Sequence, residues 1–244
     1  MTPLEQHQIE IERNLALWRG KPLLQTIYAG FYERILQHID TAAPGAVVEI
    51  GSGIGNLKAH LPGAICTDLF PNPWLDLACD GYALPFQSGT VSHLILFDVF
   101  HHLRCPRAFL NEARRVLNAR GRVILFEPFV SATSFLVYGL FHHEPVAWSK
   151  AIDFAETYPR PHDYYAAQGN ATRLFFGREQ TDWLAGWKVE HAEAFSYLLS
   201  GGYSKPAIYP GAMLEAMRGL DRMLSCCPRI FGDRCLLELR LVSS

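Results

Sequence analysis

The sequence predicts an α/β fold, a doubly wound, seven-stranded and mostly parallel sheet whose last strand is antiparallel, with a helical cap. Three observations predict it. From Ala46 onward, short apolar runs are separated by turns and amphipathic stretches, the pattern of a parallel sheet covered by helices on both faces. The first run leads into VVEIGSGIGNL (residues 47–57), where glycine takes alternate positions at Gly51, Gly53 and Gly55. The final run, RCLLELRLV (234–242), sets Cys235, Leu237, Leu239 and Leu241 against charged partners, which suits an antiparallel strand with one less buried face.

The elements follow in order. Leu4, Ile9, Ile11, Leu15, Leu17 and Trp18 fall on one broad helical face, and after Gly20-Lys21-Pro22 a second helical run covers residues 23–39. Strands are expected at 46–50, 64–68, 74–78, 93–98 and 122–127, then at 188–194 and 234–242. Between the fourth and fifth, RAFLNEARRVL (107–117) is amphipathic and stops at Asn118-Ala119-Arg120-Gly121, which makes a βαβ crossover. LFPNP (69–73) is too short for a crossover helix, so the sheet is abbreviated there. Residues 129–187 break the alternation with clustered aromatics, Pro159 and Pro161, and a helix expected at 178–185. Within this insertion VSATSFLVYGLF (130–141) is too short to cross a bilayer and reads as cap or interface.

The chain is expected to form one domain over 1–244, with 49% hydrophobic and 19% charged residues. A net charge of -2 gives no broad basic field, which argues against a nucleic-acid partner and for a small molecule. The six cysteines form no CxxC pair, and MTPLEQHQIEIERN has no basic region followed by an apolar core. Reduced thiols and a cytoplasmic protein without a membrane span are expected; the oligomeric state stays open.

The glycine spacing narrows the ligand. In the dinucleotide fingerprint the third glycine falls three places after the second, where this chain has Asn56. Glu49 stands two residues before Gly51, and an acid facing the ligand suits a cofactor with a cationic end and no phosphate. S-adenosylmethionine, with its ammonium and sulfonium, is such a cofactor. Asp68 closes the second strand, where a carboxylate can accept hydrogen bonds from a ribose diol.

CDGYALPF (79–86), the strand to Asp98, and then VFHHL (99–103) follow in order. This series resembles the class I S-adenosylmethionine-dependent methyltransferases, Rossmann-like enzymes, and within them the methyltransferase type 11 group with its "GDA-x-x-LPF … HHL" segment. RAFLNEARRVL, Gly121 and Glu127-Pro128 resemble that group's "L-x-E-x-x-RVLKPGG … EP" stretch. The resemblance covers about residues 47–128 and implies transfer of a methyl group from S-adenosylmethionine. It implies that Gly51, Ser52, Gly53 and Gly55 bring backbone close to the methionine and ribose portions and that Glu49 faces the ammonium. Asp68, with Leu69 beside it, would hold the ribose, and Asp80 with Gly81 and Tyr82 would read the adenine edge. Phe97 and Asp98 would line the methionine side. Where the family usually has alanine after the adenine-reading acid, this chain has Gly81-Tyr82.

Methyl transfer from a sulfonium is an in-line displacement and needs a base only where the acceptor must lose a proton. His102, after the fourth strand, and His143, in the insertion, are the catalytic candidates; paired histidines at such a junction also serve capping or packing. No metal site is expected of His142-His143-Glu144, because adjacent residues rarely point at one ion. The acceptor would be a small or medium organic molecule methylated at oxygen, carbon or nitrogen. Its cap would comprise residues 1–40, the insertion 129–187 and SGGYSKPAIYP (200–210), with Tyr28 and Tyr32 closing over the cofactor. The alternative is an S-adenosylmethionine-binding protein that works through a partner surface without transfer; a nicotinamide oxidoreductase is disfavoured by the glycine spacing.

Overall fold

The computed structural model describes residues 3–141, 144–158, 165–177, 182–198, 203 and 206–242. Helices α1 (Pro3–Gly20) and α2 (Pro22–Leu36) lead into β1 (Ala46–Ile50), β2 (Ile65–Asp68), β3 (Leu77–Ala78) and β4 (Val91–Phe97). Helix α3 (Pro106–Val116), β5 (Leu117–Pro128) and α4 (Ala132–Phe141) follow, then β6 (Trp187–Phe195), α5 (Leu214–Leu224), α6 (Pro228–Phe231) and β7 (Arg234–Leu241). The seven strands form one sheet in the order β3-β2-β1-β4-β5-β7-β6. Only β7 is antiparallel to its neighbours, as expected of the last strand. The order reverses between β1 and β4, and in such sheets the crevice for a ligand opens beyond the carboxyl ends of the strands flanking that reversal.

The two faces of the sheet are covered by different parts of the chain. Strand β4 is buried along its whole length, and its alternate side chains explain the layering. Leu94 and Leu96 join Val48, Val123 and Leu125 beneath α3, whose Phe109, Leu110, Ala113 and Val116 form its apolar stripe. Ile95 and Phe97 join Ile124, Phe126 and Leu236 beneath α2, which contributes Leu24, Ile27, Phe31 and Ile35. Proline at the first turn starts both helices, where its missing N–H costs nothing.

The structure departs from the sequence pattern at several places, each with a local cause. Strand β3 is only Leu77–Ala78, because residues 72–76 are bent by side chains. Asn72 Oδ1 accepts from Trp74 N–H, and Asp76 Oδ2 accepts from Cys66 N–H at the edge of β2. Between β1 and β2 there is only a 3-10 turn, Asn56–Ala59, so α2 takes much of the covering role on that face. Strand β5 starts five residues early because Leu117 turns extended straight out of α3 and pairs with Val91, after which the register shifts to His93 opposite Arg122. Of the expected helix at 178–185, residues 178–181 lie outside the described residues and Asp182–Leu184 is a 3-10 turn. Helices α4, α5 and α6 are additions to the predicted series. Among the described residues no helix is long and apolar enough to cross a membrane.

Candidate active site

The glycine loop turns three times through left-handed backbone, with φ of 70° at Gly51, 53° at Gly53 and 73° at Gly55. Each is a conformation that side chains rarely adopt, and two of the glycines are also approached closely. A Cβ on Gly51 would lie 2.4 Å from Val99 Cγ2, and one on Gly55 would lie 3.0 Å from Trp74 Cβ. Gly53 faces open space. Ser52 ties the loop down: its Oγ donates to Glu49 O at 3.4 Å and accepts from Thr67 N–H at 3.1 Å.

Asp68, at the end of β2, reaches back to the same loop. Its Oδ2 accepts from Gly53 N–H at 2.9 Å and its Oδ1 from Leu69 N–H at 2.7 Å, which aims the carboxylate across the mouth of the loop. The Leu69 side chain beside it is exposed. Asn72, in the shortened segment before β3, donates to Gly53 O at 3.0 Å. Farther along, Asp80 accepts from Tyr82 N–H at 2.8 Å in a tight turn, and Gly81 rests on Ile50, Leu103 and Phe109. The Tyr82 hydroxyl accepts from Cys105 N–H at 3.1 Å and its ring packs against Tyr158.

Glu49 is only 2% exposed. Burial pushes its carboxyl up to about 7, and Cys66 Sγ, 3.7 Å away, is a weak donor to it. Among the described residues no basic side chain contacts it. A roof stands over this end of the sheet: Tyr203 bonds the Asn56 side chain, stacks on Trp18 and meets Tyr28 edge-on, while Lys21 Nζ donates to its carbonyl at 2.9 Å.

At the end of β4, the Phe97 ring stacks on Tyr28 and touches Tyr32 and Phe126, so it belongs to the core under α2 and forms a floor. Asp98 takes φ of 56°, left-handed backbone that a short polar residue tolerates, and its carboxylate pairs with Arg234 of β7. Burial raises the Asp98 carboxyl, and Arg234 opposes that rise.

Past Asp98 the chain makes a 3-10 turn, Phe100–His102, held from β5. Glu127 is fully buried and accepts from the N–H groups of Val99, Phe100 and His101 at 2.8, 2.7 and 3.3 Å, and its Oε2 is 2.7 Å from His101 Nδ1. Against burial, which lowers it, Glu127 pushes His101 up to about 10. His102 Nδ1 is 2.9 Å from Tyr165 O, so Nδ1 carries the proton and Nε2 the lone pair. Burial, with His101 adding to it, holds His102 below the usual histidine range. Glu144 lies 3.4 Å from His101 Nε2 and 3.5 Å from His102 Nε2, so it faces both of these adjacent histidines. His143 lies outside the described residues, as do Gly201 and Gly202.

Residues 48–125 match the family model described as a methyltransferase domain. That stretch, about a third of the chain, carries the methyltransferase-domain signature of the type 11 group. Two solved structures share its fold. A chain from the complex of the Haloferax volcanii Trm112 methyltransferase activator with a methyltransferase aligns over 100% of this chain and 98% of its own, at 16% identity and a TM-score of 0.55. A methyltransferase from Bacillus halodurans C-125 aligns over 86% of this chain and 97% of its own, at 14% identity and a TM-score of 0.50. At these identities the likeness is one of fold. No curated protein matches the methyltransferase by sequence comparison.

The donor set of the methyltransferase fits its cofactor. A buried carboxyl without a cation beside it, next to a loop open at Gly53 and facing a second carboxylate on β2, suits a ligand with an ammonium and a ribose. Several residues of the site carry no motif of their own. Arg234 is distant in sequence from the Asp98 it pairs with, and Tyr203 stands alone in its loop. Glu127 lies just beyond the matched residues, and nothing in its neighbours announces that it clasps the turn after β4. Asn72 had a readable signal, an Asn-Pro pair in a turn segment.

Proposed function

We propose that this methyltransferase holds S-adenosylmethionine across the carboxyl ends of β1, β2 and β4 and methylates a small or medium organic acceptor at oxygen, carbon or nitrogen. The observation that carries this is Glu49, buried, held near neutrality by burial and uncontacted by any described basic residue, beside three left-handed glycines. Glu49 receives the cofactor's ammonium. Gly51, Ser52, Gly53 and Gly55 bring backbone against the methionine and ribose, while Asp68 accepts from the ribose with Leu69 beside it. Asp80, Gly81 and Tyr82 border the adenine, and Phe97 and Asp98 bound the methionine side. When bound, the cofactor supplies an electrophilic methyl on a sulfonium.

The protein's own contribution is alignment and exclusion of water. Tyr28, Tyr203 and Trp18 close the roof on the α2 side, and residues 1–40 with the insertion 129–187 form the cap over the acceptor. Where the acceptor must lose a proton, His102 Nε2 is the nitrogen with a lone pair, its ring fixed by Tyr165 O. His143 is the second candidate from the sequence. The net charge of -2 supports a small acceptor over nucleic acid.

Calorimetry with S-adenosylmethionine, paired with transfer of a deuterated methyl group into a fractionated small-molecule extract followed by mass spectrometry, tests this. We expect binding by the wild type and about thirtyfold weaker binding by Asp68→Ala, the scale of one charged hydrogen-bond acceptor. A folded wild type that binds no S-adenosylmethionine overturns the assignment.

A further inference from the structure

We propose that Nε2 of His101, Nε2 of His102 and the carboxylate of Glu144 form a binding site for a divalent cation of the zinc class. The three ligand atoms lie within 4.8 Å of one another, with Glu144 oxygens 3.4 Å from one imidazole nitrogen and 3.5 Å from the other. A four-coordinate zinc with bonds of about 2.0–2.1 Å to nitrogen and oxygen has ligand-to-ligand edges of about 3.4 Å. Glu144 faces both imidazoles through its two oxygens, Oε2 toward His101 and Oε1 toward His102. Two imidazoles and one carboxylate are a donor set that favours zinc over calcium or magnesium, which prefer oxygen alone.

The supports behind the ligands are those of a metal site. A ligating imidazole is normally held at its other nitrogen by a carboxylate or a carbonyl, which fixes the ring and directs a lone pair at the metal. Here His101 Nδ1 is held by Glu127 at 2.7 Å and His102 Nδ1 by Tyr165 O at 2.9 Å. Adjacent residues converge because the 3-10 turn Phe100–His102 is clasped by Glu127 through three backbone N–H groups, which brings the two rings to 4.2 Å between centroids.

An independent sign comes from Gln168, which is 3% exposed. Its Nε2 lies 3.3 Å from His101 Nε2 and bonds Glu144, while its Oε1 is buried without a partner. Turning the amide keeps its outline and presents that oxygen to the centre of the cluster, where a cation gives it the partner it lacks. His102 keeps 31% of its side chain exposed, so the cluster is reachable from solvent. A bound cation would occupy the lone pair that His102 would otherwise use as a base, so the two roles exclude each other at that nitrogen.

The test uses the full chain, equilibrated with zinc chloride, desalted and assayed for metal by mass spectrometry, with cobalt substitution followed by absorption. We expect about one zinc per chain for the wild type, and at least tenfold weaker zinc binding by Glu144→Gln and by His102→Ala. The cobalt form should show visible ligand-field bands without the near-ultraviolet band of cobalt thiolate, which excludes Cys226 and Cys227 as the ligands. A wild type that holds no zinc after desalting overturns the proposal, as does a thiolate band or equal zinc retention by both variants when folded. If a variant fails to fold, the cobalt spectrum of the wild type decides, together with a loss of zinc affinity in Gln168→Leu. Calorimetry with S-adenosylmethionine on zinc-depleted protein keeps the outcomes apart, since cofactor binding should persist whatever happens at the cluster.

Discussion

Two glutamates stand at the carboxyl ends of neighbouring regions of the sheet, Glu49 on β1 and Glu127 on β5, and both are removed from water. Their surroundings are opposite. Glu127 has three backbone N–H donors and an imidazole on its two oxygens, so every line of its environment is satisfied from within the chain. Glu49 has only the Ser52 hydroxyl and a thiol at 3.7 Å against a rise to about 7 forced by burial, with no basic group among the described residues beside it. Equal burial therefore does not imply equal purpose. A buried acid whose partners are all internal builds structure, whereas one left short of partners marks the place where something from outside completes the network.

The comparison breaks first at Glu127. Glu127→Ala strands buried N–H groups at about 1–3 kcal/mol each, so we expect a loss of about 4 kcal/mol, read as a lower urea midpoint. A change below about 1 kcal/mol would mean that the turn after β4 holds itself. The second effect is at Glu49, and its sign is opposite. Because the folded carboxyl is raised from 4.5 to about 7, the apo protein is penalised as pH rises through that window. The penalty is absent below about pH 4.5, complete above about pH 7 and amounts to at most about 3 kcal/mol. Glu49→Gln should therefore stabilise the apo protein at pH 8 and not at pH 4.5, while weakening S-adenosylmethionine binding about tenfold. Equal stability of the two proteins at pH 8 would remove Glu49 from the ligand side of the comparison. The smallest effect sharpens the contrast with an exposed acid. Asp76 pairs with Lys58 at 2.5 Å, both about a third exposed, and Lys58→Met should leave thermal melting nearly unchanged, with any difference vanishing in high salt.

What the sequence disclosed follows the same division. The left-handed glycines and the places of Glu49 and Asp68 at strand ends were legible because backbone conformation and strand ends set them, at short sequence spacing. Strand β1 was placed to the residue for the same reason. Strand β3 was overestimated because Asn72 and Asp76 bend the chain through side-chain bonds that apolar patterning does not register. The pairings beyond the ends of β4 and β5 were less legible still. Asp98 meets Arg234, and His101 meets Glu127 and Glu144, across long separations in sequence, and only the folded sheet brings those strand ends together. Phe97 packs its ring into the core under α2, a contact that its place in the matched stretch does not announce.

Helix α2 has a consequence for how this chain acquires its shape. It is made early, yet the surfaces that cover Phe31 and Ile35 come from β4, β5 and, at the far end, Leu236 of β7. A ribosome therefore releases an oily helix before its seat exists, and complete docking awaits β7. Such distant pairings slow folding and leave sticky surface exposed in the meantime. Truncations that remove β7 should thus accumulate as aggregates, even though every glycine of the cofactor loop would still be present.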